Sequence, residues 1–418
     1  FVIEQLRETD GVAWLRFASV YYSFDDIQEF LALAESIDDA DELAALAKDL
    51  EAELATLEQQ FAALELALTL GGEYDDLVVL TRDARGEVSE VMIAAFLTGL
   101  RMKGETVDEI TGAARTMRAK ATKVNVNNHV VNLDRDEINI EKETILDIVG
   151  TGGDTTRTFN VSTTTAFVAA GAGIRVAKHG NRAVSSLCGS ADVLENLGVN
   201  LDITTTDVET CINQIGIGFL YAPLFHGAMK YAAGPRREIG IRSIFNLLGP
   251  VTNPAGASVQ VLGVYEQSLT DKIALVLNRL GTKEAFVVCG EGTFDEISIC
   301  GPTRVSHLKD GNIRTFQMTP EEYGFKRAAP MDVVGGNAKE NADIIRRILD
   351  GEEGPKQDMV LLNASAAFVA AGLCDDFKEG INIAKDSIDS GKAREKLHKL
   401  VEITRQCKPF IRDEPMGA

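Results

Sequence analysis

ILDIVGTGGDTTRTFNVSTTTAFVAAGAG, residues 145–173, is the stretch on which the reading of this chain turns. An apolar, strand-like run ends at Val149 and is followed by Gly150, Gly152 and Gly153, then Asp154. A polar stretch leads to Asn160-Val161-Ser162-Thr163, where an Ala-rich helix begins. Glycines let the backbone approach an anion without a Cβ clash. A helix start presents unpaired N–H groups and the positive end of the dipole, typically about 0.3–1 kcal/mol per interaction. Asn160, Ser162 and Thr163 add side-chain hydrogen-bonding groups, so the arrangement suits phosphate or pyrophosphate. On its own, GTGG ahead of a helix reads equally as a Gly-rich turn with an ordinary Ser/Thr cap. Neither the GxxxxGK[ST] of a P-loop nor the GxGxxG of a dinucleotide fold is present in this stretch.

Outward from this stretch, short β-rich runs alternate with helical ones: ILDIV, IRVAKH, VQVLGVY, EAFVVCG and SHLKDG. The alternation predicts an α/β domain over 143–418 with a mostly parallel central sheet. Upstream, EVSEVMIAAFLTGLRMKGETVDEITGAARTMRAKA reads as two or three amphipathic helices, with Gly104-Glu105-Thr106 as break and cap. This predicts a small helical domain over 77–142.

Three further motifs carry chemistry. VAKHGNRAVSSLCGSADVLENLG (176–198) delivers Lys178-His179-Gly180-Asn181-Arg182 from a strand into a loop, and Gly189-Ser190 opens the next helix. Cationic and amide donors at one strand end suit a phosphate plus a polar acceptor. APLFHGAMKYAAGPRREIGIRSIFNLLGPVTNP (222–254) combines His226 with Arg236, Arg237 and Arg242. Arg236 suits a bidentate pair with a carboxylate ligand. In CGEGTFDEIS (289–298) an apolar strand precedes Asp295-Glu296, an oxygen pair that fits Mg²⁺ or, taken alone, an exposed acidic turn.

Charge sharpens the picture. The 418 residues carry 63 carboxylates and 42 basic groups, a net of −21. Residues 1–76 hold 19 carboxylates and three basic groups, so most of the acidity lies in the first fifth and the remainder is near neutral at −5. Bulk electrostatic binding to nucleic acid or anionic lipid is excluded by that balance. No apolar run reaches the ~18 residues of a membrane span. The start lacks a basic-then-apolar secretory pattern, and beginning at Phe1 it reads as a fragment, a processed chain or a joined one. The six cysteines are dispersed with no CxxC, and the five histidines form no HxxxH or HExxH. Reduced cysteines in a cytoplasmic protein follow.

Within the acidic extension, Leu43, Leu46, Leu50, Leu54, Leu57, Phe61, Leu64 and Leu68 recur at three- and four-residue steps. They predict a heptad helix over 36–76, ended by Gly71-Gly72. DGVAWLRFASVYYSFDDIQEF (10–30) resembles the C-terminal end of the ATP-cone domain of the bacterial repressor of ribonucleotide reductase genes, giving a fragment over 1–35. Residues 41–76, closing on LTLGGEYDD, resemble the helical N-terminal region of class I peptide release factors, without their GGQ motif.

The order GTGGD–NVST, KHGNR–GSADVLE, HxAMK–RREIGIRSIFN–LGP–TNPA and DE resembles the anthranilate phosphoribosyltransferase family over roughly 80–405. That family has the nucleoside phosphorylase/phosphoribosyltransferase-like fold. The resemblance implies transfer of the phosphoribosyl group of phosphoribosyl pyrophosphate to the amine of anthranilate, in tryptophan biosynthesis. By it, Gly150, Gly153, Asp154, Thr158, Asn160, Val161, Ser162 and Thr163 hold phosphoribosyl pyrophosphate, together with Lys178, His179, Gly180, Asn181, Arg182, Ala183, Val184, Ser185, Ser186 and Ser190. Gly150, Asn181, Arg236 and His226 receive anthranilate, with Arg236 on its carboxylate. Ser162, Asp295 and Glu296 hold Mg²⁺, two ions in all. No residue is assigned as acid, base or nucleophile, because an aromatic amine is already neutral near pH 7. A homodimer built on the helical domain is also implied. Here that domain is about one helix short, Gly227 stands where Pro is frequent, and Val251 where Leu is usual. The alternatives are a catalytically impaired mosaic and a non-catalytic nucleic-acid-binding relative of the same fold. A pyrimidine nucleoside phosphorylase lacks support, since its KxSGRGxGHTGGTxDKLE signature is missing.

Overall fold

The computed structural model describes residues 89–126, 144–152, 157–183 and 187–408. The heptad run and both N-terminal resemblances lie outside the described residues, as do Gly153, Asp154, Val184, Ser185 and Ser186.

Two helices open the described chain, α1 (Glu90–Lys103) and α2 (Val107–Lys120). Gly104 at φ 84° ends α1, and Thr106 starts α2 through a capping box in which its hydroxyl accepts from the Glu109 amide. The break and cap expected at 104–106 are therefore in place: the Gly104 amide donates to the Leu100 carbonyl at the end of α1, and the Thr106 hydroxyl satisfies a first-turn amide of α2. Arg118 ties α2 to the rest of the fold by donating to the carbonyls of Val251 (2.8 Å) and Leu280 (3.1 Å).

The α/β part follows in the order β1 (Ile145–Gly150), α3 (Val161–Gly171), β2 (Arg175–Gly180), α4 (Ser190–Leu197), α5 (Thr205–Ile215) and β3 (Ile217–Tyr221). After a single turn at Ala222–Phe225 come α6 (Lys230–Ile239), α7 (Ile244–Val251), β4 (Val259–Gly263), α8 (Leu269–Arg279) and β5 (Glu284–Gly290). The hairpin β6 (Thr303–Lys309) and β7 (Asn312–Met318) precedes α9 (Ala338–Leu349), α10 (Pro355–Ala370), α11 (Phe377–Asp389) and α12 (Lys392–Gln406).

The seven strands lie in the order β3-β2-β1-β4-β5-β6-β7, parallel from β3 through β5 and antiparallel at β6 and β7. The expected mostly parallel sheet is thus observed. All five sequence-predicted strands are present, whereas β3 and β7 were not anticipated. Gly218 breaks the β-forming character of β3, yet nothing larger fits, because a Cβ there would meet Ile212 at 2.6 Å. Strand β7 is an edge strand with mostly polar, exposed residues, so it lacks the apolar signal of a covered strand.

Strands β1, β4 and β5 are buried along nearly their whole length, as a sheet covered by helices on both faces requires. Helix α3, buried from Thr163 to Gly171, packs against α10 and α12, and Phe159, Phe167, Phe286 and Phe368 fill the same core. The chain runs from β1 outward through β2 and β3, then returns to lay β4 on the other side of β1. Such a reversal opens a crevice at the carboxyl ends of β1 and β4, the usual place for a ligand in an open α/β sheet.

Candidate active site

The crevice is built first by what the strands lack. Gly150 and Gly263, the last residues of β1 and β4, are register partners. A Cβ on Gly150 would meet the Asp295 carboxylate at 2.3 Å, and one on Gly263 would stand 1.4 Å from the Asp295 carbonyl oxygen. The glycines therefore let the loop after β5 lie directly on the strand ends and carry Asp295 and Glu296 there. Asp295 Oδ2 accepts from the amide of Gly152 at 2.8 Å, fastening that loop to the glycine-rich turn. Gly152 sits at φ 64°, the left-handed region that glycine enters freely.

Helix α3 starts at this crevice. Its N-cap residue, Asn160, makes no side-chain cap bond. The Asn160 amide instead donates to the Cys188 carbonyl (3.4 Å) and accepts from Asn341 Nδ2 (2.9 Å). The reading of NVST as an ordinary cap fails here, because the cap side chain is turned away from the helix. No acidic residue occupies the first turn of α3, whereas α2 places two there and α4, α5 and α9 one each. The hydroxyls of Thr151 and Thr163 are buried without a partner among the described residues. An uncapped, uncharged helix start beside two unpaired buried hydroxyls is suited to an anion.

Lys178 is the cation at this place. It is buried, and its Nζ donates to the carbonyl of Ile148 (2.7 Å) and to Ser162 Oγ (3.3 Å). Burial lowers its pKa to about 8, and the charges of Asp147, Glu296 and Asp295 oppose that fall. One ammonium thus lies within electrostatic reach of both loop carboxylates while touching Ser162. Two carboxylates and a hydroxyl make an all-oxygen donor set of the type a hard divalent cation takes. Among the described residues no three His, Cys, Asp or Glu side chains form a metal cage. A cation held here would keep positions for water or ligand oxygens, which fits Mg²⁺.

His179, the next residue of β2, points the other way, as alternation along a strand dictates. Its Nδ1 lies 3.0 Å from the Gly249 carbonyl, and its ring centroid is 5.1 Å from that of His226. Burial, with the neighbouring His226 adding to it, lowers the His179 pKa to about 3. Burial likewise lowers His226 to about 4, so both imidazoles are neutral at pH 7. The Nε2 atoms of both are buried without a partner among the described residues. The Arg236 guanidinium lies 4.9 Å from the centre of the Phe245 ring. Burial pulls its pKa below the ordinary value. Helix α7 joins the two, carrying Gly249 against His179 and Phe245 against Arg236.

The other predicted residues divide. Thr158 bridges to Val334, Val161 is the first residue of α3, and Gly180 ends β2 under the Ser190 hydroxyl. Asn181 is exposed; its Oδ1 accepts from the Arg182 amide, and its carbonyl accepts from Ala191. The Arg182 guanidinium is engaged by its own chain: it donates twice to Glu195 (2.6 and 2.7 Å) and once each to Asp192 and Tyr221. Asp192 in turn accepts from the amides of Ala183 and Gly189, shaping the loop. Sequence reasoning missed Asp147 and Asn253. Buried Asp147 accepts from the His179 amide (3.1 Å) and from Asn253 Nδ2 (2.8 Å), and the same Nδ2 donates to the Ala177 carbonyl (2.8 Å). Burial raises the Asp147 pKa to about 6 against the pull of Lys178. A lone Asp inside an apolar strand was the available signal.

The architecture has counterparts among known proteins. Residues 142–394 match the glycosyl transferase family α/β domain, and residues 81–121 match the helical bundle domain of the same family. The anthranilate phosphoribosyltransferase of Geotalea uraniireducens is 56% identical over 334 residues, covering 80% of this chain and 95% of that protein. The chain belongs to the anthranilate phosphoribosyltransferase family. The crystal structure of the family member from Thermus thermophilus superposes with a TM-score of 0.74 at 42% identity, over 82% of this chain and 99% of that one. The Saccharomyces cerevisiae anthranilate phosphoribosyltransferase, solved in complex with PRPP and Mg, gives a TM-score of 0.70 at 29% identity, over 80% and 93% of the respective chains. The family thus accounts for the helical pair and the mixed sheet.

Proposed function

We propose that the chain transfers the phosphoribosyl group of phosphoribosyl pyrophosphate to the amine of anthranilate, releasing pyrophosphate and N-(5-phosphoribosyl)anthranilate. The carrying observation is the uncapped start of α3 at the β1/β4 crevice, with Lys178, Ser162 and the Asp295-Glu296 loop converging on it. Family membership supports the same reaction.

The chemistry asked of the residues is substitution at the anomeric carbon. The diphosphate leaves with its charge, and the helix start and Lys178 stabilise that charge where it accumulates. Bound Mg²⁺ supplies further charge neutralisation of the leaving group, held by Asp295, Glu296 and Ser162, and we assign two ions to the site. Arg236, whose guanidinium lies over the Phe245 ring, takes the anthranilate carboxylate, with His226, Asn181 and Gly150 completing that subsite. A ring nitrogen held neutral serves as an acceptor for the aromatic amine without being a strong base. Positioning of two substrates in one crevice then supplies much of the acceleration.

A homodimer through the helical pair is part of this reading, supported by the exposed apolar side chains of Val91, Met92 and Met102 on α1. Among the described residues no helix is long and apolar enough to cross a membrane, and we place the enzyme in the cytoplasm. We read residues 1–76 as an acidic extension ahead of the enzyme and the domain limits as 77–142 and 143–418. The test is direct. Purified protein with Mg²⁺ and anthranilate should lose anthranilate fluorescence when phosphoribosyl pyrophosphate is added; a folded protein that leaves the fluorescence unchanged counts against the proposal and favours the impaired mosaic.

A further inference from the structure

The carboxylate loop is held from two sides. On one side the missing Cβ atoms of Gly150 and Gly263 let Asp295 rest on the strand ends. On the other stands Asn363, in the middle of α10 and 2% exposed, surrounded by helix positions that are buried from Met359 to Ala370. Asparagine is an unfavourable choice for a helix interior, and a buried carboxamide costs free energy unless it is bonded. Here it is fully used. Its Oδ1 accepts from the Ile297 amide (3.0 Å), and its Nδ2 donates to the Ile297 carbonyl (2.9 Å) and to the Met359 carbonyl of its own helix (2.8 Å). Both backbone groups of one loop residue are thus grasped by one side chain, as a strand partner would grasp them. Ile297 directly follows Glu296, and its own side chain is wholly buried. Rotation of the 296–297 or the 297–298 peptide would break one of these bonds.

We propose that Asn363 is a positioning residue: by fixing the Ile297 backbone it sets the aim of the Asp295 and Glu296 carboxylates. The inference rests on the reading of those two carboxylates as Mg²⁺ ligands. Groups that orient metal ligands are commonly worth about 10–100-fold in metal affinity or activity. A purely structural Asn363 would instead lower stability and leave metal affinity intact once the protein is folded.

The experiment measures Mn²⁺ binding, by the electron paramagnetic resonance signal of free Mn²⁺, with phosphoribosyl pyrophosphate present and anthranilate absent. Wild type, Asn363→Leu, Asn363→Asp and Asp295→Ala are compared at a temperature where circular dichroism shows each one folded. Asn363→Leu should raise the Mn²⁺ dissociation constant about tenfold or more. Asn363→Asp keeps the acceptor for the Ile297 amide and loses the two donor bonds, so its rise should be smaller. The proposal is overturned if Asn363→Leu binds Mn²⁺ like wild type while Asp295→Ala binds it more weakly. Should Asn363→Leu fail to fold, Asn363→Asp decides by the same criterion. If Asp295→Ala also binds Mn²⁺ like wild type, the metal reading itself falls, and the Asn363 proposal with it.

Discussion

Lys178 and His179 are neighbours on one strand, yet they serve opposite faces of the sheet, and the two faces solve different problems. On the Lys178 face charge is concentrated: a buried ammonium, two loop carboxylates and an uncapped helix start. On the His179 face the groups are held differently: two imidazoles kept neutral by burial, a buried Asp147 bonded to Asn253, and the Arg236 guanidinium over the Phe245 ring. The first arrangement suits a highly charged diphosphate and its cation, the second a flat aromatic acid with one carboxylate. A period-two alternation thus sets two chemically different environments on the two faces of one strand.

The comparison can be broken most severely on the charged face. Asp295→Ala together with Glu296→Ala should lower Mg²⁺-dependent turnover by about a hundredfold or more, since both loop carboxylates are removed from the diphosphate side. Titration of activity against Mg²⁺ checks this, and full activity in the double variant would remove the metal role. Next in size, Gly263→Ala forces a methyl into the Asp295 carbonyl and should cost about 1–3 kcal/mol of stability, read as a lower thermal midpoint. Its Mg²⁺ requirement should rise as well, because the whole loop must shift.

The smallest expected effect is a pH dependence. Lys178 is charged below its pKa of about 8 and loses that charge as the pH rises further. The KM for phosphoribosyl pyrophosphate should accordingly climb above pH 8 while that for anthranilate stays level. Lys178→Met should show a flat, uniformly raised value across the same range. A wild-type KM that falls as the pH rises would contradict the sign.

Much of this was legible in the sequence because the site is made of backbone features. A strand, three glycines and a helix start are visible in residues 145–173, and they lie where the sheet order reverses. Asp295-Glu296 was also recognisable, although its contact with Gly152 depends on a loop crossing 143 residues of sequence. The side chains from Lys178 to Arg182 do not all face one place. Strand alternation sends His179 to the other face, and Arg182 is engaged by Glu195 and Asp192, partners that sequence order alone does not reveal. Asp147, Asn253 and Asn363 act on backbone atoms of distant segments, so no local pattern announced them. Strands β3 and β7 were hidden for a simpler reason: one contains a packing glycine and the other is an exposed edge.

The separation of faces is tested most directly by measuring the KM of both substrates in Arg236→Ala and Lys178→Met. A charge-assisted hydrogen bond is worth about 1.5–3 kcal/mol, or about 10–100-fold. Arg236→Ala should raise the anthranilate KM by that factor with little change for phosphoribosyl pyrophosphate, and Lys178→Met should do the reverse. Equal weakening of both substrates in both variants would contradict the account.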